Sequence, residues 1–97
     1  MHDIICRRDD DGTHVNIDQK IIRHSPTGFE WGYAGSGPAD LALNILAEFI
    51  GRDRAEANGL YELFKTEFIL PMPHEGGIIT AIAIERWILR NEIVDIR

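Results

Sequence analysis

The chain has 97 residues, of which 44% are hydrophobic and 27% are charged, and its formal net charge at pH 7 is −6. These values are typical of a soluble globular protein, so we expect a single domain over residues 1–97. The acidic balance disfavours direct binding to duplex nucleic acid, and the lack of a long apolar stretch predicts a cytoplasmic protein with no signal peptide and no membrane contact.

The N-terminal part of the chain is predicted to form a β-hairpin. Residues 3–8 begin with β-branched residues, and residues 13–17 alternate polar and apolar side chains with the period of two that a half-buried strand shows. Between them, Asp9, Asp10 and Asp11 precede Gly12, a composition typical of turns.

A second alternating stretch predicts a third strand. Residues 29–33 place Phe29, Trp31 and Tyr33 on one face, which we expect to lie against the core. The residues before this stretch, around Pro26, form a predicted loop, because proline disfavours a helical conformation at the residue that precedes it.

The most apolar part of the sequence predicts a buried central helix at about residues 38–51. Pro38 suits the first helical position, with Ser36 or Gly37 as the N-cap. The polar residues of this helix recur every four positions and form one narrow stripe, most simply its solvated edge. These residues are Asp40, Asn44 and Glu48.

Two further helices are predicted. One spans about residues 54–69, with Asp53 and Glu56 in a capping-box pattern, and Gly59 inside it indicates either a kink or a later start near residue 58. Its predicted apolar face consists of Leu60, Leu63, Phe64 and Phe68. The other spans about residues 81–90, with Thr80 as its N-cap.

The remaining segments leave alternatives open. Residues 78–84 fit a strand or a helix, and we choose a short strand or extended segment at 78–79 before the last helix. Residues 91–97 are predicted to form a tail. Together the elements predict a small α+β domain, in which an antiparallel sheet of about three strands packs against about three helices.

One long run of residues supports a family resemblance. The sequence SPTGFEWGYAGSGPADLALNIL at residues 25–46 resembles the signature SPxGFxWGYxGSGPxxLALxIL of an uncharacterised family of small proteins from bacteria, phages and prophages. The resemblance implies a phage or mobile-element context. It carries no catalytic residue over to this chain.

A glycine-serine turn precedes the central helix and is a candidate anion-binding site. Gly35, Ser36 and Gly37 lie where free backbone N–H groups and the helix dipole favour a phosphate or carboxylate. The run lacks the lysine of a Walker motif and does not match GxGxxG. The simpler interpretation is a tight connection into the helix.

Catalytic and metal chemistry have weaker support. Ser36 with His24 and either Asp40 or Glu30 would supply the residue types of a nucleophilic triad, but the GxSxG motif is missing. The sequence has no CxxC or HxxxH pair. We therefore predict no catalytic residues, no metal site and no cofactor.

The acidic residues offer a candidate interaction surface. Its predicted members are Asp9, Asp10, Asp11, Glu30, Asp40, Asn44 and Glu48. The first function hypothesis is therefore an acidic accessory protein that binds a host or phage protein, such as an anti-CRISPR-type inhibitor that engages a basic nucleic-acid-binding surface. The second is a small-molecule, anion or nucleotide binder that uses the glycine-serine turn. The sequence leaves the oligomeric state open.

Overall fold

The computed structural model describes residues 2–92 and consists of one three-stranded antiparallel sheet with helices packed on it. The predicted α+β class is confirmed. The strands and helices, in chain order, are β1 Ile4–Asp9, β2 Gly12–Val15, α1 Ser36–Ile50, α2 Arg52–Glu56, α3 Leu60–Phe64, β3 Gly76–Ile79 and α4 Ala81–Asn91. Of the predicted tail, Asn91 belongs to α4, and residues 93–97 lie outside the described residues.

Strand β1 lies in the middle of the sheet. It pairs with β2 in the predicted hairpin and, on its other edge, with β3. Ile4 and Cys6 are buried, whereas Ile5 and Arg7 between and after them are exposed. The alternation means that one face of the sheet lies against the core and the other faces outward.

The predicted strand at residues 29–33 is wrong, because this segment pairs with no strand among the described residues. This segment is instead an irregular loop whose Gly32 N–H donates to the Ile69 carbonyl at 3.0 Å, and the third strand is β3. Trp31 is buried and donates its indole N–H to the carbonyl of His74 at 3.0 Å. Tyr33, expected on the same core face, is 52% exposed.

The central helix α1 begins two residues earlier than predicted. Gly35 is its N-cap, and the first helical hydrogen bond runs from the Ala39 N–H to the Gly35 carbonyl at 3.0 Å. Pro38 is therefore the third helical residue. A proline costs no hydrogen bond at this position, because the N–H groups of the first helical turn have no intrahelical acceptor. Every residue from 37 to 46 is buried, which confirms the prediction of a buried helix.

The glycines of the turn allow two close approaches. A Cβ on Gly37 would lie 2.7 Å from the Cβ of Glu30, and a Cβ on Gly35 would lie 2.7 Å from the Tyr33 ring. These positions therefore need the smallest residue for packing, since both separations are shorter than a van der Waals contact.

Asp40 holds the connection between β2 and α1 against the helix. Its side chain is fully buried, and its carboxylate accepts hydrogen bonds from the backbone N–H groups of three consecutive residues. The donors are Arg23 at 3.2 Å, His24 at 3.0 Å and Ser25 at 2.9 Å. The carboxylate thus replaces the water that these amides would otherwise bind.

Asn44, one helical turn later, extends this network. Its side-chain oxygen accepts from the N–H of Lys20 at 2.9 Å and of Ile21 at 3.0 Å, and its amide donates to the Ile21 carbonyl at 2.9 Å. The predicted solvated stripe is therefore wrong for Asp40 and Asn44. The spacing of four residues correctly predicted that Asp40 and Asn44 lie on one face of α1, but residues 19–25 cover that face.

The second predicted helix is broken, as the alternative of a kink near Gly59 proposed. Helix α2 ends at Glu56, and a tight turn at Ala57–Gly59 contains Asn58 with a φ of 56°. Helix α3 follows and continues into a π-helical turn at Lys65–Ile69. The positive φ interrupts the helix, because a helical residue needs a negative φ.

Two details of this region differ from the prediction. The capping box is wrong, since Gly51 is the N-cap of α2 and the Glu56 carboxylate instead binds Arg52 at 2.7 Å. Leu63, predicted on the core face, is 54% exposed. Leu60 and Phe64, which belong to the same predicted face, are buried.

Helix α4 starts as predicted. The Thr80 hydroxyl accepts from the Ala83 N–H at 3.2 Å, and the Asp3 carboxylate accepts from the Ala81 N–H at 2.8 Å. Trp87 is buried and meets the Phe64 ring edge-on at 5.2 Å between centroids. These contacts attach the C-terminal helix to both the sheet and α3.

We expect Asp40→Asn to lower the free energy of unfolding by about 2–3 kcal/mol, because an amide offers one acceptor oxygen and turns an N–H group toward the backbone donors. Chemical denaturation with circular dichroism measures the change. Asp18→Asn, at an exposed position, is the control. Equal stability of the two variants would contradict the role assigned to Asp40.

Candidate functional site

A groove of about 440 Å³ opens at the N-terminus of α1. The predicted glycine-serine turn forms one wall, and the loop before it, from His24 to Thr27, forms another. Ser36 is exposed here, and Tyr33 lies beside it. The tertiary structure thus places the predicted turn on an accessible concave surface.

The groove offers backbone donors. Within α1, the first N–H groups have no acceptor in the preceding turn, so the amide of the exposed Ser36 has no helical partner and could bind a ligand, whereas Gly37 is buried. Glu30 also lines the groove, and its carboxylate opposes an anion unless its charge is neutralised. Anion binding at this turn stays a prediction.

The hypothetical triad does not assemble around Asp40. His24 and Ser36 line the same groove, but the Asp40 carboxylate accepts from the backbone N–H of His24 and not from its ring. The ring instead lies 2.9 Å from the Tyr61 hydroxyl. A nucleophile–base–acid chain needs the acid on the imidazole, so Asp40 cannot serve in that role.

Glu30 is part of a structural tether. The Arg8 guanidinium donates to both carboxylate oxygens of Glu30, at 2.7 and 3.1 Å, and to the His74 carbonyl at 2.8 Å. It also lies 4.9 Å from the centre of the Trp31 ring. The hydrogen bond from Arg8 holds the pKa of Glu30 below its usual range. Glu30 therefore connects β1 to the loop before α1.

The hairpin turn between β1 and β2 is organised by Asp9. Its carboxylate binds the His14 ring at 3.0 Å, the Arg7 guanidinium, and the Asp11 N–H at 2.8 Å. The hydrogen bonds from His14 and Arg7 lower the pKa of Asp9 to about 2. Asp10 and Asp11 remain exposed, and neither forms an ion pair within residues 2–92.

The predicted acidic surface is therefore reduced. Asp40 and Asn44 are buried and inaccessible to a partner. Glu48 lies 3.1 Å from the Lys20 ammonium, and Glu30 is bound by Arg8. Of the predicted acidic surface, Asp10 and Asp11 in the hairpin turn are the accessible carboxylates without an ionic partner in residues 2–92.

The outer face of the sheet carries an apolar pair that the sequence prediction missed. Ile5 and Ile78 are opposite each other in the β1–β3 register and are 47% and 64% exposed. A signal was present in the sequence. Each residue belongs to an adjacent pair of isoleucines, at 4–5 and 78–79, and in a strand such pairs must place one side chain on each face.

The described residues hold no evident metal-binding cluster. Within residues 2–92, no three His, Cys, Asp or Glu side chains converge where they could hold an ion. Cys6 is buried on the inner face of β1, and burial raises the pKa of its thiol to about 11. Among these residues, no helix combines the length and apolar character needed to cross a membrane.

The match to a family model covers most of the chain and includes all the strands and helices described above except the last residue of α4. The model of DUF6166, a family of unknown function, matches residues 2–90. The chain belongs to this family. Comparisons with curated proteins and with solved structures found no match. Family membership supplies no activity, so a functional proposal depends on the surface of the molecule.

We expect Glu30→Gln to weaken the dependence of stability on acid pH. Because the pKa of Glu30 is lowered in the fold, its contribution is present above the ordinary glutamate pKa of about 4.3 and is lost as pH falls through the folded-state pKa. Melting temperatures between pH 7 and pH 3 measure the effect. Arg52 and Arg54 also lower the pKa values of Glu56 and Glu92, so the melting temperatures of both proteins should fall in acid. The melting temperature of the wild type should fall more steeply with pH than that of Glu30→Gln.

Proposed function

We propose that the protein acts by binding another protein through the outer face of its sheet. The carrying observation is the exposed Ile5–Ile78 pair on a sheet face whose opposite side packs on the core. Interfaces commonly combine an apolar centre with a charged rim. Here β1 supplies both, since it runs from the isoleucine pair to the acidic hairpin turn.

The charge of the chain favours a basic partner. The net charge is −6, and the carboxylates of Asp10 and Asp11 project from the turn without an ionic partner in residues 2–92. A basic partner surface would meet complementary charge at this rim, which accelerates association and makes it sensitive to salt.

In its finer form, the proposal places the protein in a phage or mobile-element context, as the resemblance of residues 25–46 implies. An acidic turn can occupy a groove that normally binds nucleic-acid phosphates. The partner would then be a nucleic-acid-binding protein of the bacterial host, for example one of a defence system, and the action would be inhibition.

The test is affinity capture from a bacterial lysate with the full chain as bait. We expect partners that bind the wild type at 50 mM salt and dissociate as salt rises. They should be lost with Asp10→Asn/Asp11→Asn and with Ile5→Ser/Ile78→Ser. Quantitative mass spectrometry compares the baits, and a labelled duplex should compete with the bait for each captured partner.

Matched baits control for charge and for apolar exposure. Asp18→Asn/Glu85→Gln removes the same charge at exposed positions elsewhere, and Leu89→Ser removes an exposed leucine of α4. Both should retain the partners. If the two surface variants and the two control variants captured the same proteins in equal amounts, the proposed binding surface would be ruled out.

The groove at the α1 N-terminus supports a second candidate function, the binding of a small anion or nucleotide. Its volume of about 440 Å³ is in the range of small-molecule sites, and it contains the exposed Ser36. A ligand that binds only the folded state raises the melting temperature by mass action.

We expect a thermal-shift screen with inorganic phosphate and mononucleotides to raise the melting temperature by several degrees at saturating ligand if this candidate is correct. Ser36→Ala should reduce the shift. Thr66→Ala, at an exposed site outside the groove, is the control. No shift with any anion would eliminate the candidate.

A further inference from the structure

Strand β3 leaves one edge of the sheet open. Hydrogen-bonded and non-hydrogen-bonded pairs alternate along an antiparallel ladder. The Arg8 N–H donates to the Glu75 carbonyl at 3.1 Å, in the register that continues to Ile4 and Ile79. Residues 77 and 79 therefore direct their backbone groups toward β1, and Ile78 directs its N–H and C=O away from it.

An apolar groove of about 340 Å³ runs along this open edge. Residues 77–80 form one wall, and the opposite wall includes Phe68, Pro71 and Met72. None of the described residues that line the groove belongs to β1. The groove thus lies on the side of β3 where another strand could pair, with room beside the backbone for inserted side chains.

The strand itself lacks the features that usually protect a sheet edge. Its sequence is Gly-Gly-Ile-Ile, without a charge or a proline, and natural edges are commonly blocked by lysine, proline or a bulge. On the other side of the sheet, β2 is preceded by the acidic hairpin turn. The exposed edge of β3 is therefore the better template for strand addition.

The charges beside the groove favour one kind of occupant. Glu67 lines the groove and Glu75 directly precedes β3; both are exposed, and neither forms an ion pair within residues 2–92. A second copy of this acidic chain would bring its own Glu67 and Glu75 to the contact. A basic, apolar segment would be attracted by them.

We propose that the β3 edge binds an extended peptide segment of a partner protein, in which apolar residues alternate with lysine or arginine. The segment adds as a fourth strand that pairs with the N–H and C=O of Ile78. Its apolar side chains enter the groove over Phe68 and Met72, and its basic side chains reach Glu67. This inference rests on the proposed function for the existence of a basic partner, and it adds the binding mode.

The experiment selects random heptapeptides displayed on phage against the immobilised full chain, with counterselection on Ile78→Pro. Proline removes the outward N–H and is tolerated on an edge strand. We expect enriched peptides with alternating apolar and basic residues. Fluorescence anisotropy of the synthetic peptides should give at least tenfold weaker binding to Ile78→Pro.

Further variants separate the backbone contact from the side chains. Ile78→Ser retains the N–H and should weaken binding less than Ile78→Pro, and Leu89→Ser, outside the groove, should bind like wild type. Glu67→Gln should weaken binding and reduce its salt dependence. If Ile78→Pro does not fold, peptides that are N-methylated at alternate positions test the same hydrogen bonds, and one of the two methylation registers should abolish binding.

Several results would overturn the inference. The first is the recovery of no peptide. The second is that the selected peptides bind Ile78→Pro as tightly as wild type, or that the two N-methylated forms bind the wild type equally well. The third is a wild-type dimer in sedimentation equilibrium that Ile78→Pro dissociates, which would identify a second copy as the occupant. The capture experiment with the Asp10 and Asp11 variants uses a different part of the surface. If only the capture experiment failed, the proposed partner surface would be ruled out and the proposed peptide groove would still stand.

Discussion

The fold depends on the buried carboxylate of Asp40. A charge in the core is costly unless hydrogen bonds replace its water shell, and here three successive backbone N–H groups of residues 23–25 supply them. Asn44 does the same for the backbone at residues 20 and 21. The long connection from β2 to α1 has no secondary structure of its own, and these two side chains fix its 20–25 part against the helix.

Arg8 provides the second constraint. Its side chain leaves β1, stacks beside Trp31 and binds both Glu30 and the carbonyl of His74. Three separate parts of the chain thus meet at one guanidinium, whose fixed geometry allows several simultaneous hydrogen bonds. The conformation of the WGYAGSG run is consequently determined by the contact of Trp31 with Arg8 and by the close approaches at Gly35 and Gly37.

These constraints also decide which surfaces are free. The inner face of the sheet and most of α1 are used in the core, and Asp40, Asn44 and Glu30 are engaged within the molecule. The accessible features include the outer sheet face, the acidic hairpin turn, the open edge of β3 and the groove before α1. The two surfaces proposed for partner binding share β3, because Ile78 directs its side chain to the outer face and its backbone to the open edge.

Local patterns in the sequence determined the hairpin, the buried helix α1, the start of α4 at Thr80 and the α+β class, since turn composition, apolar periodicity and capping act between residues close along the chain. Tertiary structure alone decided the rest. The alternation at residues 29–33 resembled a strand, but this segment instead donates hydrogen bonds from Gly32 and Trp31 to the distant carbonyls of Ile69 and His74. The spacing of Asp40 and Asn44 placed both on one helix face, but only the path of a distant segment determined whether water or backbone amides would cover that face.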